Sequence, residues 1–113
     1  MLVDPELVAE IRRLERATGR NDIFLGFVRK LEADLQAFGT TFSGHVARGE
    51  AAAAVRAAHT LKGTCRQLGA MDLGELFAEI EAVAKTGDYA AAQSKYDTGA
   101  TLIAQSLEAL KRA

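Results

Sequence analysis

The segment HTLKG, residues 59–63, holds the residue types in this chain that are best suited to chemistry. Each helical residue advances by about 100°, so His59 lies about 160° from the middle of the apolar stripe of its predicted helix and faces outward. Lys62, Gly63 and Arg66 follow three, four and seven residues later, so they share the face of the histidine. An exposed imidazole is a nucleophile, and a lysine ammonium is a point charge that suits a phosphoryl group.

Gly63 weakens the helix that carries it, since a glycine inside a helix costs ~1 kcal/mol relative to alanine. At this position it removes a side chain directly beside the imidazole of His59, which lets a flat partner approach closely. Arg66 lies one turn beyond Lys62 on the same face. It is either a solvated charge or a second contact for the phosphate, and the sequence leaves both interpretations open.

A second element brings a carboxylate to the same depth as the histidine. The turn between the third and fourth predicted helices centres near residue 70, with His59 eleven residues before it and Glu81 eleven after it. At about 1.5 Å of rise per residue, both lie ~16 Å from the turn. The Glu81 carboxylate is therefore expected to accept the Nδ1 proton of His59 and to leave Nε2 exposed. Lys85, four residues after Glu81, is either a solvated charge or part of an anion-attracting rim.

Helices must position these side chains, because apolar residues recur at spacings of three and four and strand-like alternation is missing. The predicted helices run over residues 5–17, 22–47, 50–69, 72–85 and 88–110, within about two residues. Asp4 before Pro5 predicts an N-cap, and Asp72 with Glu75 predicts a capping box at the fourth helix. Expected core positions include Leu7, Ile11 and Leu14 in the first helix, Phe24, Phe27 and Val28 in the second, Ala54, Ala58, Leu61, Cys65 and Leu68 in the third, and Tyr89, Tyr96, Ile103, Leu107 and Leu110 in the fifth.

The pattern predicts an all-α fold, an antiparallel up-and-down four-helix bundle with a short extra N-terminal helix. A chain of 113 residues is expected to form one domain over residues 1–113, with the bundle at about 22–111. Cys65 lies on an apolar stripe and is expected to pack as a small hydrophobe. His45 lies about 9 Å along the bundle axis from the depth of His59 and is expected to be structural.

Composition excludes several classes of function. The net charge is −1, so the basic surface of a nucleic-acid binder is missing. No apolar run approaches the length of a membrane span, and the N-terminus lacks the pattern of a signal peptide. Two distant histidines and one cysteine do not make a metal site. The sequence therefore predicts a cytoplasmic protein whose partners are proteins or small molecules, with no membrane contact by this domain.

Residues 59–81, HTLKGTCRQLGAMDLGELFAEIE, resemble the core motif of histidine-containing phosphotransfer (HPt) domains. The matching positions are His59, Leu61, Lys62, Gly63, Leu68, Gly69, Leu73, Leu76 and Glu81. The resemblance implies a phosphorelay intermediate of two-component signalling. In such a relay His59 accepts a phosphoryl group from the aspartyl phosphate of a receiver domain and passes it to another. It further implies that Lys62 supports the phosphoryl group, Gly63 makes room for the receiver and Glu81 orients the ring, although many members carry glutamine at this last position.

The same resemblance implies a carrier without an ATP site of its own that works with response-regulator receiver domains. A monomer is expected, because the four helices can close a core alone. Mg²⁺ is expected from the receiver, because neither a glycine-rich ATP loop nor an acidic cluster lies on the histidine face. A hybrid sensor histidine kinase is a further expected partner, or the parent chain of this domain. The alternative is a module that docks receivers through the same face without carrying phosphate. A histidine kinase dimerisation bundle fits less well, because it usually has an acidic residue where Thr60 stands.

Overall fold

Six α-helices and no strand make up the computed structural model, which describes residues 1–113. The helices are α1 (Pro5–Thr18), α2 (Ile23–Ala47), α3 (Ala51–Gln67), α4 (Met71–Lys85), α5 (Tyr89–Thr98) and α6 (Ala100–Arg112). The predicted all-α class is confirmed. None of the helices is long and apolar enough to cross a membrane.

Four helical columns form the bundle. Helix α2 packs on α3, α3 packs on α4, and α5 with α6 forms a fourth column against both α4 and α2. The turns between the columns are short, so neighbouring columns run antiparallel. Gly49, Gly69 and Gly87 end α2, α3 and α4 in the left-handed conformation, with φ of 72°, 86° and 86°, which glycine adopts without steric cost. Helix α1 packs mainly against α2 as the extra N-terminal helix that the sequence predicts.

The fourth column is broken at Gly99, where the sequence predicts one continuous helix over residues 88–110. A Cβ at Gly99 would lie 2.6 Å from Leu76 Cδ2 and 3.1 Å from the carbonyl oxygen of Lys95. The glycine therefore lets the backbone of the fourth column come close to α4, and α6 starts at Ala100. The apolar stripe continues across the break, so spacing alone gives no sign of it.

Twenty buried apolar residues form one core cluster. All five predicted core positions of α3 belong to it, so the inner face of the helix that carries the histidine is confirmed. Two predicted core positions are wrong: the relative exposure is 51% for Leu14 and 47% for Phe27. In α1 the buried residues are instead Val8 and Glu15. Phe27 lies on the flank of α2, because that helix buries the stripe that starts with Phe24, Val28 and Leu31.

Of the two helix caps predicted from the sequence, one is confirmed and the other is wrong. The Asp4 carboxylate accepts a hydrogen bond from the Glu6 N–H, as expected of an N-cap. The capping box at α4 is wrong, because α4 begins at Met71 and the Asp72 carboxylate instead pairs with the N-terminal ammonium group at 2.7 Å. At α2, the buried carboxylate of Glu15 accepts from the Phe24 N–H at 2.9 Å and so serves as a cap supplied by α1.

Candidate functional site

The site lies where α3 and α4 face each other across the turn at Gly69. His59 Nδ1 is 2.9 Å from Glu81 Oε2, so the contact predicted from equal depth in the hairpin is present. The His59 side chain is 61% exposed, whereas the Glu81 side chain is only 6% exposed. A solvent-facing imidazole therefore rests on a buried carboxylate from the neighbouring helix.

Two lysines share this carboxylate with the histidine. Lys62 Nζ lies 2.6 Å from Glu81 Oε1, and Lys85 Nζ lies 3.4 Å from Glu81 Oε2. Burial by itself would raise the pKa of Glu81, but hydrogen bonds from Lys62, His59 and Lys85 outweigh burial and lower the pKa to about 2. Glu81 is therefore an anion at neutral pH, fully engaged by three nitrogen groups.

The charge of Glu81 fixes the position of a proton on the imidazole. An ionised carboxylate can only accept hydrogen bonds, so the hydrogen at the His59–Glu81 contact is on Nδ1. In the neutral ring Nε2 then keeps its lone pair, because each neutral imidazole has one protonated and one free nitrogen. The exposed side of His59 thus presents a nucleophilic nitrogen to solvent.

Gly63 lies one turn after His59 beside open space. A Cβ built at Gly63 would meet no atom of a neighbouring residue within 4 Å. The helical glycines Gly39 and Gly74 differ, since a Cβ there would lie 3.0 Å from Tyr96 and 2.9 Å from Arg66. Packing within the chain therefore does not require a glycine at position 63, and its cost to the helix has no internal compensation.

Arg66 is not brought together with the histidine cluster. Its aliphatic part crosses over Gly74, and its guanidinium donates to Glu75 Oε1 at 3.1 Å. In this conformation Arg66 links α3 to the first half of α4. Of the other predicted members, Lys62 and Lys85 each contact the Glu81 carboxylate, which also contacts His59.

A groove beside His59 contains an arginine that sequence reasoning missed. Arg56 lies three residues before His59 and lines the groove together with His59, Glu81 and Lys85. The other lining residues are small or apolar: Ala51, Ala52, Val55, Ala84 and Tyr89. The spacing of three residues before the histidine was the signal that could have identified Arg56, because it places the two side chains on one helix face.

The remaining reactive side chains lie apart from this cluster. His45 Nδ1 is 3.0 Å from Glu50 Oε1 in the turn between α2 and α3. Cys65 is completely buried, and burial raises the pKa of its thiol to about 12, so the thiolate form is suppressed at neutral pH. No set of three or more His, Cys, Asp or Glu side chains converges anywhere in the structure.

Fold and site together define an all-helical protein whose chemistry lies on an exposed helix face. The family model of the Hpt domain matches residues 5–113. The chain belongs to the Hpt domain family, whose members act as phosphotransfer carriers in two-component signalling and interact with receiver domains and kinases. Comparisons with curated proteins and with solved structures gave no match.

Proposed function

We propose that His59 is the phosphoacceptor of this carrier, and that it takes a phosphoryl group from the aspartyl phosphate of one receiver domain and passes it to another. One observation carries the proposal: His59 Nδ1 is held by Glu81 at 2.9 Å while the side chain is 61% exposed. The nitrogen that the carboxylate does not contact is then free to meet a phosphorus atom.

The proposed transfer is a direct displacement on phosphorus. The lone pair of His59 Nε2 forms the N–P bond, the bond between phosphorus and the aspartyl oxygen breaks, and its electron pair stays on the aspartate carboxylate. Such a transfer passes through a loose, in-line transition state, so positioning and charge stabilisation supply most of the rate. The reverse displacement, by the aspartate of a second receiver, returns the electron pair to Nε2.

Glu81 is the positioning residue in this mechanism. The ring gains a positive charge when Nε2 bonds to phosphorus, because the Nδ1 proton stays in place. The Glu81 carboxylate, 2.9 Å away, stabilises that charge and holds the ring in the orientation that exposes Nε2. No proton has to leave His59 in either direction of transfer.

Lys62 and Lys85 supply positive charge around the histidine. Both ammonium groups lie on the Glu81 carboxylate, at 2.6 Å and 3.4 Å from its oxygens. Lys62 supports the oxygens of the incoming phosphoryl group as a point charge. Mg²⁺ would belong to the receiver in this proposal, where it would supply positive charge next to the aspartyl phosphate.

Gly63 gives the receiver access to His59. A receiver must bring its phosphoaspartate into line with Nε2, so its surface comes close to the helix on which the histidine lies. The space beside Gly63 is open, which supports this role.

The experiment is phosphotransfer from receiver domains of the same organism, each phosphorylated beforehand and supplied with Mg²⁺. Intact mass and acid lability identify the product on the wild type, on His59→Gln and on His45→Gln. The expected result is one acid-labile phosphoryl adduct on the wild type and on His45→Gln, and none on His59→Gln. An adduct that persists in His59→Gln would place the acceptor elsewhere. Receiver binding without any transfer would favour a docking module that carries no phosphate.

A further inference from the structure

The groove beside His59 is a second surface with its own chemistry. It has a volume of about 460 Å³ and lies between the first half of α3, the end of α4 and the start of α5. Val55, Ala84 and Tyr89 supply its apolar lining, and Arg56 and Lys85 supply its cations. Small-molecule sites bury most of the surface of their ligand, so an open groove of this kind is better suited to side chains of a partner protein.

The charges of the groove are unbalanced. Glu81 is its one acidic residue, and that carboxylate is already engaged by His59, Lys62 and Lys85. Arg56 is exposed and is left without a carboxylate partner in the chain. The surface around His59 therefore has three cations against one buried carboxylate, although the whole chain has a net charge of −1.

We propose that this groove docks an acidic segment of the receiver domain, with Arg56 as the residue that contacts it. The inference rests on the proposed phosphotransfer function. Arg56 lies three residues before His59, which is ~4.5 Å along the helix axis. Gly63 lies four residues after His59, which is ~6 Å along the same axis. A receiver centred on His59 therefore covers Gly63 on one side and the groove on the other. The unpaired guanidinium favours a carboxylate there, and it attracts an anionic partner during encounter.

The test compares Arg56→Glu, Arg56→Lys and the matched control Arg13→Glu with the wild type. Arg13 is exposed on α1, which packs mainly against α2, so its variant makes the same charge change away from the groove. The probe is the phosphorylated receiver that transfers fastest to the wild type. Transfer rates are measured over a range of receiver concentrations at low and at high salt, and thermal melting checks the fold of each variant.

We expect Arg56→Glu to lower the apparent second-order rate constant about ten-fold at low salt, with a smaller difference at high salt. The rate at saturating receiver should change little, because Arg56 acts in docking and not on the phosphoryl group. Arg56→Lys should retain most of the wild-type rate, and Arg13→Glu should lie within about two-fold of it. A wild-type rate and salt dependence in Arg56→Glu would overturn the docking proposal alone. Failure of the wild type to accept phosphate from any receiver would overturn the proposed function instead.

Discussion

Lys62 Nζ lies 2.6 Å from Glu81 Oε1, on the same carboxylate whose other oxygen contacts His59 Nδ1. The lysine is therefore tied to α4 and is only 21% exposed in its side chain. The spacing of the sequence predicts that Lys62 shares the face of His59, and the structure shows in addition that one buried carboxylate contacts both side chains. Changes at Glu81 should consequently alter the orientation of two groups at once.

Replacing Glu81 by alanine should slow transfer to His59 by roughly 100-fold, the size of loss that misplacing a reacting group by about 1 Å can cause. The variant loses the acceptor that fixes the Nδ1 proton and leaves Lys62 without its partner. Glu81→Gln should be slowed less, because an amide oxygen still accepts from Nδ1 but does not balance the positive ring. Single-turnover transfer at saturating receiver measures both variants. Equal rates for wild type and Glu81→Ala would remove Glu81 from the mechanism.

The charge of Glu81 should also appear in the acid stability of the fold. Its pKa is lowered from 4.5 to about 2, with burial opposed by hydrogen bonds from Lys62, His59 and Lys85. A carboxyl group whose folded pKa is depressed stabilises the fold above its unfolded pKa and loses that contribution as pH falls toward the folded value. The difference in free energy of unfolding between wild type and Glu81→Gln should thus be largest above pH 4.5 and shrink toward pH 2. Denaturant titrations at several pH values measure it, and a difference that stays constant over this window would contradict the assignment.

The Gly63→Ala variant should be more stable than the wild type but slower in phosphotransfer. The added methyl group meets no neighbouring atom within 4 Å, so the free energy of unfolding should rise by ~1 kcal/mol through helix propensity. Transfer from a receiver should slow, because the methyl group lies where the partner approaches. Gly26→Ala is the matched control, since Gly26 also lies in a helix beside open space. It should stabilise the fold without affecting transfer, and equal transfer rates in the two variants would exclude a contact at Gly63.

Substitutions of Leu61 and His59 should differ in their effect on the free energy of unfolding, although the two residues are only two positions apart in α3. Leu61 is 5% exposed and belongs to the core cluster, so Leu61→Ala should lower the free energy of unfolding by ~2 to 5 kcal/mol. His59→Gln should melt nearly as the wild type does, because the ring projects into solvent. Chemical denaturation of both variants tests the assignment of the two faces. Unfolding of His59→Gln under native conditions would show that the histidine is structural.

The buried face of α3 and its level relative to α4 could be predicted because both follow from residue spacing and regular helical geometry. Five apolar residues at spacings of three and four locate the buried side of α3, and residue counts from the turn place His59 level with Glu81. Helical geometry is nearly constant, so such arithmetic holds over eleven residues. The equal depth of His59 and Glu81 follows from it, and the structure shows that their side chains also meet, with Nδ1 and Oε2 2.9 Å apart.

Side-chain direction could not be predicted in the same way. Arg66 shares a helix face with His59, yet it extends over Gly74 toward Glu75, because the missing side chain at Gly74 opens that path. Glu15 replaces Leu14 on the inner side of α1 because the first turn of α2 needs an acceptor. Each of these outcomes depends on a neighbour from another helix, which spacing within one helix does not contain.

The contact between Glu15 and the Phe24 N–H makes α1 part of the start of α2. Asp22, at the N-cap position of α2, accepts no hydrogen bond from the backbone of that helix, and its carboxylate instead pairs with Arg20. A fragment trimmed to start at residue 22 would keep all four columns of the bundle and still lose the acceptor of a buried amide. Its first turn of α2 would then fray, and the amides there would exchange with solvent early. The extra N-terminal helix, which the bundle topology makes look dispensable, therefore supplies the acceptor that holds the first turn of α2.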